Sequence, residues 1–347
     1  MVQRPQAPLR YAGYHPLVSV SWKLLFAGVA LSVAAWVGIE AWKGSFTHAS
    51  YTQMMRSAHT MESASQVIRG LRTRLGLMQP RTVDPNQTGL IGSEYTDTTT
   101  SLGDLVAKRT ATNPDLAAAI TRRLHDLNLP AGSRILVVVS GSFVGANIAA
   151  IIAIEALGHR PVVISSLGAS MFGATDARLT WLDIEAELRR AGVIRVKSSG
   201  AVIGGGSATG GGLADAGIEQ LRDAAKRNDV PLFEAGELAE LLHRIETTAD
   251  AVSGDGIALL VNSGGSVIAL GTCEEGGRIA TLVVDGGIPC TSGVPGLIVR
   301  AARRGLPVLH LLNIKGLAAE WDLPFDPIPL PTVGNNRFVY GATPPPR

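Results

Sequence analysis

Apolar positions along this chain recur with three different spacings, and each spacing predicts a different element. Residues 24–39 contain no charged residue, and the apolar run extends back to Leu17 with only Lys23 interrupting it. About 20 apolar residues cross the hydrocarbon core of a bilayer, so this stretch predicts a membrane-spanning helix. From about residue 45 to 78 the spacing changes to three and four. Met54, Met55, Met61, Ala64, Val67, Ile68, Leu71 and Leu75 mark one face of an amphipathic helix, which Pro80 and Pro85 close. Beyond residue 86, short apolar runs alternate with helix-period stretches. Strands are predicted at Ile135–Val139, Pro161–Ser165, Ile257–Val261 and Pro307–Leu312. Helices are predicted at 113–127, 143–157, 180–191, 214–228, 236–248 and 293–303. That alternation is the signature of an α/β domain with a mostly parallel sheet flanked by helices.

The division that follows is a cytoplasmic N-terminus at 1–16, a transmembrane helix at 17–42 and an amphipathic stalk at 43–85. An extracytoplasmic α/β domain fills 86–322, and a tail fills 323–347. The stalk segment fits equally a partner helix or the first packed helix of the domain. The tail carries seven prolines after Trp321 and reads as an extended strap or a disordered end. Within the domain, Val267–Leu270 and Ile279–Val284, either side of Glu274-Glu275-Gly276-Gly277, read as an inserted β-hairpin. Its register leaves Cys290 beyond any partner position for Cys273, so these two cysteines are expected as separate thiols.

Composition narrows the function. A 347-residue chain that is 46% hydrophobic folds around a sizeable core, and its net charge of +2 supplies no field for gripping DNA or RNA. The charge is uneven. Residues 1–43 hold Arg4, Arg10, Lys23 and Lys43 against Glu40, which leaves 27 of the 31 basic and 28 of the 29 acidic residues for the rest. Basic residues on the N-terminal flank predict that this end stays in the cytoplasm and the large C-terminal part lies outside. Trp22 and Trp42, near the two ends, suit the headgroup layers and favour an uncleaved anchor over a signal peptide.

Candidate chemistry gathers where predicted strands end. Ser140-Gly141-Ser142-Phe143 joins a strand to the helix bearing Asn147. Free backbone amides at such a junction favour an anion, with Ser140 and Ser142 as hydroxyl contacts, or else one serine simply caps the helix. Ser165 to Ala174 follows the next strand and brings Ser166 and Ser170, with Asp176 beyond, to the same sheet edge. Lys108 and Arg109, after a threonine-rich stretch, would add cationic donors for a carboxylate. Ser142 and Ser170 are the candidate nucleophiles, although Ser142 lacks the Gly-x-Ser-x-Gly frame of an esterase elbow. Its base would come from His159, His243, His310, Lys108 or Lys315. Six glycines between Gly204 and Gly212 match neither a dinucleotide fingerprint nor a phosphate loop, and read as a lid or a plain connection. Asn262-Ser263-Gly264-Gly265, Asp285-Gly286-Gly287 and Asn313 are read as turns. No cofactor is expected, and no metal-binding spacing appears.

Across residues 95–320 the chain resembles the bacterial poly-γ-glutamate system proteins, which accompany synthesis and export of that polymer. The resemblance is carried by Leu102-Gly103-Asp104, Lys108-Arg109-Thr110, Asn113-Pro114, Ser140-Gly141-Ser142-Phe143 with Asn147, the block Ile164 to Ala174, and Thr180-Trp181-Leu182-Asp183. It implies membrane association and a role beside a γ-linked polyanion, as an accessory that binds or guides the polymer or its machinery. It implies no catalytic set. The alternatives are a serine-dependent hydrolase or transferase acting on γ-glutamyl chains, and an α/β enzyme for a small anionic substrate.

Overall fold

In the computed structural model, residues 21–43, 47–254, 256–274, 279–283 and 288–342 are described. Residues 1–16, the Asp285-Gly286-Gly287 cluster and most of the expected 274–277 turn lie outside them. The chain divides into Met1–Phe46 and Thr47–Arg347. The first unit contains helix α1 (Trp22–Lys43). Its Trp22–Ile39 stretch is long and apolar enough to cross a membrane and is unburied by protein, a description that a signal sequence also meets.

The second unit opens with α2 (Tyr51–Leu75), which Gly76 ends in the left-handed conformation. Met54, Met61, Ala64 and Ile68 are wholly buried in one cluster with α4 (Asp115–Asp126) and α5 (Val144–Ala156). The segment set apart as a stalk therefore supplies a core helix, because its apolar stripe is covered by these two helices. Between α2 and α4 lie β1 (Thr99–Ser101) and α3 (Leu105–Thr110), whose N-cap Asp104 accepts from the amides of Val106 and Ala107.

The main sheet contains β2 (Arg134–Ser140), β3 (Arg160–Ser166), β5 (Gly200–Val202), β6 (Leu259–Ser263), β7 (Leu282–Val283) and β8 (Val308–Leu311). Among the described residues its order is β5-β3-β2-β6-β8-β7, all parallel except β7, which runs antiparallel to β8. A short β4 (Ala169–Ser170) pairs with β1 in a separate parallel ladder. In chain order the five parallel strands read 3-2-1-4-5. The order reverses between β2 and β6, where open α/β sheets form their ligand crevice.

Both sheet faces are covered. Along β2, Ile135, Val137 and Val139 enter the core shared with α5, whereas Leu136 and Val138 enter a second core. That second core takes Leu241 and Ile245 from α8 (Leu238–Ser253) and Leu297 and Ile298 from α10 (Leu297–Arg303). Strands buried on both faces are continuously apolar, as the β2 sequence is. Helices α6 (Trp181–Arg190) and α7 (Asp215–Arg227) flank the β3–β5 side. Thr180 and Asp183 close a reciprocal cap on α6, so Asp183 serves helix geometry and pairs with Arg227.

Among the described residues the expected hairpin is not seen. Val267–Leu270 is a helical turn, α9, and within 279–283 the described strand is β7, paired with β8 and not with the 267–270 segment. A four-residue apolar run carries no period that separates strand from helix. The change relocates the cysteines. Thr272 N donates to Val294 O, and Gly271 bridges Pro295, which brings the segments bearing Cys273 and Cys290 together. Their Cα atoms are 5.3 Å apart and their sulfurs are bonded, so the expectation of two thiols is corrected to a disulfide.

After α11 (Ile314–Glu320) the tail is a strap ending in α12 (Arg337–Tyr340). Val339 and Tyr340 are buried, Tyr340 Oη donates to Asp115 Oδ1 (2.5 Å), and Arg122 donates to the carbonyls of Phe338, Val339 and Gly341.

Candidate functional site

The switch point holds a cleft of about 470 Å3 at the C-terminal ends of β2, β3 and β6. Its floor is the loop after β2. Ser142 N donates to Ser140 Oγ (3.2 Å) and Ser140 Oγ to Ser142 Oγ (3.0 Å), which fixes the two hydroxyls side by side. Asn147 Nδ2, one turn into α5, donates to Ser140 O (2.8 Å). Gly141 N donates to Ser166 O, tying this loop to the end of β3. Two glycines permit the surrounding walls. At Gly264 (φ +106°) a Cβ would lie 2.7 Å from Ser140 Cβ, and at Gly204 (φ +94°) it would lie 2.8 Å from Ser166 Oγ.

Lys108 enters from α3. Its Nζ donates to Ser142 O and lies 2.9 Å from Ser170 Oγ, while Ser170 N donates to Ser142 Oγ (2.9 Å). The ammonium position is 4.9 Å from the Phe143 ring centre. Lys108 is 4% exposed. Burial pushes its pKa down to about 7, against the opposing charge of Asp104. Lys108 is the cationic side chain among the residues that line the cleft, and Asp104 is the acidic one.

Of the residues expected in the site, Ser140, Ser142, Ser166, Ser170 and Lys108 line this cleft together. Gly141 and Asn147 do not line it; they brace the loop from behind. Arg109 departs from expectation. It turns away to form a two-bond pair with Asp326 of the strap, and that bond raises its pKa. Asp176 pairs with Arg178 and also lies outside the lining. Gly205 and Gly206 form one wall, so the glycine-rich segment borders the cleft. His310 is buried beside Asn262 (2.9 Å), and desolvation lowers its pKa to about 4.

Sequence reasoning missed Ser266, which lines the cleft with its buried Oγ unpartnered, and gave no site role of their own to Gly103 and Asp104, which form part of the mouth of the cleft. A serine after a strand and two glycines was the available signal. It also missed a grouping at the C-terminal end of α4. His48 Nε2 lies 3.0 Å and His125 Nδ1 3.4 Å from Asp126 Oδ1, and Ser50 Oγ holds His48 Nδ1 at 2.8 Å. These three donors lie within 4.8 Å of one another and are the described residues best arranged to hold a metal ion. Their sequence separation hides them from any spacing motif.

Fold and cleft together define a doubly wound α/β protein with a cleft at its switch point. No family model, curated protein or solved structure matches the chain.

Proposed function

We propose that this protein is a membrane-anchored accessory of a poly-γ-glutamate synthesis or export system, and that its cleft takes a segment of the γ-glutamyl chain. The observation that carries this reading is Lys108, buried beside Ser142 and Ser170 in a cleft that Ser140 and Ser166 also line at the switch point. One cation in a cleft lined by serines suits a single carboxylate or amide group at a time, not a stretch of neutralised polyanion. The family resemblance supplies the polymer. An α1 long enough to span a bilayer, basic residues on its N-terminal flank and a disulfide in the C-terminal part together support a single-pass anchor with the domain outside the cytoplasm.

The test passes full-length protein in detergent over immobilised poly-γ-glutamate. Retention that free polymer reverses, unchanged in Arg109→Ala and lost in Lys108→Gln, is the expected result. Wild-type protein in the flow-through would refute the polymer reading. For topology, protease added to intact spheroplasts is expected to digest the C-terminal part, and its protection would contradict the orientation.

A further inference from the structure

The same cleft holds an arrangement that goes beyond binding. We propose that Ser170 is a nucleophile and Lys108 its general base, so that the cleft performs acyl transfer on an amide or ester carbonyl. The inference rests on the polymer reading only for its natural substrate class, a γ-glutamyl amide.

The geometry supplies each role. Ser170 Oγ lies 2.9 Å from Lys108 Nζ, within reach for direct proton transfer. Lys108 is oriented by Ser142 O on one side and the Phe143 ring on the other. As a neutral amine it donates to Ser142 O and keeps its lone pair for the Ser170 hydroxyl proton. Ser142 Oγ accepts from Ser140 Oγ and from Ser170 N, which leaves its own proton to donate to an oxyanion. Ser266, on the same lining, holds a buried Oγ without a partner. A lysine with a pKa of about 7 is half neutral at neutral pH, as a base for this step requires.

The step balances within these groups. Ser170 Oγ forms a bond to the carbonyl carbon as its proton passes to Lys108, and the carbonyl electron pair moves to the oxygen facing Ser142. The tetrahedral adduct collapses, the C–N bond breaks, and the Lys108 ammonium returns the proton to the leaving amine. Water, or a second amine, then attacks the acyl-Ser170 ester, giving up its proton to Lys108; the ester C–O bond breaks, Lys108 returns that proton to Ser170 Oγ, and the carboxylic acid or new amide leaves.

Binding a carboxylate needs Lys108 charged, whereas nucleophilic attack needs it neutral, so the two activities separate by pH. Full-length protein in detergent, with no polymer present, is treated with a fluorophosphonate, which forms a phosphonyl ester at an activated serine and releases fluoride. Peptide mass mapping reads the site. The expected result is an adduct on Ser170 that forms faster as pH rises through about 7. Lys108→Arg, which keeps the length and charge without a usable base, is expected to slow labelling at least about 100-fold. Ser142→Ala is expected to slow it by about 10-fold or more. No adduct on the wild type, an adduct on another serine, or equal labelling of Lys108→Arg would each overturn the proposal. Mapping the wild-type adduct needs no variant to fold. Absence of the adduct together with retention on immobilised polymer would sink this inference alone, whereas an adduct without retention would sink the polymer reading alone.

Discussion

Lys108 concentrates the energetics of the site in one side chain. Burying an ammonium costs free energy, and although the charge of Asp104 opposes the shift, the folded-state pKa falls from the ordinary 10.5 to about 7. A base whose folded pKa is depressed binds fewer protons folded than unfolded between those values. Stability therefore rises as pH climbs from about 7 to 10.5, and the gain is lost as pH falls back through 7. Over that window the change is on the order of a few kcal/mol. Denaturation of full-length protein at a series of pH values is expected to show this slope for wild type and to lose most of it in Lys108→Met. Glu185 behaves with the opposite sign. It is buried behind β3, accepts from Ser198 N (2.8 Å) and Ser198 Oγ (2.6 Å), and burial raises its pKa from 4.5 to about 6. The folded state then binds more protons in that window, so stability present below pH 4.5 is lost as pH rises through 6. His310, with its pKa lowered to about 4, gives the opposite slope in this range, so Glu185→Gln is expected to shift the net stability change from pH 4 to pH 7 upward by about 2 kcal/mol in the same measurement. None of this was legible in the sequence. Lys108 and Arg109 read as a pair of equals, and only their adjacent places on α3 send one into the cleft and the other to Asp326.

At the scale of elements, what the sequence made legible follows from length and burial. The runs Ile135–Val139 and Pro161–Ser165 announced β2 and β3 because strands covered on both faces need unbroken apolar character. The cap at Thr180-Asp183 announced α6 because its two side chains satisfy amides that no helical carbonyl can reach. With both strands parallel, the serine loops fell at one sheet edge, so four of the cleft's serines were foreseeable. What escaped is short. Thr99–Ser101 and Gly200–Val202 are three-residue strands held by neighbours distant in sequence, and the β1–β4 ladder is what carries the Thr100–Lys108 stretch to the cleft mouth. The strap was half legible: its prolines announced an extended segment, but not that Tyr340 would anchor it to Asp115. Tyr340→Phe leaves the Asp115 carboxyl buried without that donor, a loss of about 1–3 kcal/mol. Limited proteolysis is expected to cut the variant's tail faster than that of wild type; equal rates would show that Arg122 and packing hold the strap alone.

For the whole molecule, the near-neutral charge resolves into a basic N-terminal flank and a C-terminal part with one more acidic than basic residue. Affinity for a polyanion must then come from a local site, because the surface as a whole offers no attraction. The disulfide bears on the compartment. Purified without reductant, the full chain is expected to resist alkylation and to take up two alkyl groups after reduction; alkylation before reduction would remove this support for an extracytoplasmic domain. The central claim is that the switch-point cleft engages the γ-glutamyl chain through Lys108. Its most direct test is a calorimetric titration of a short γ-linked glutamate oligomer into full-length protein in lipid nanodiscs at pH 6 and pH 8.5. Because Lys108 titrates near 7, binding is predicted to weaken roughly 30-fold from the lower to the higher pH and to vanish in Lys108→Met. Equal affinity of wild type and Lys108→Met, or no heat of binding at pH 6, would contradict the account.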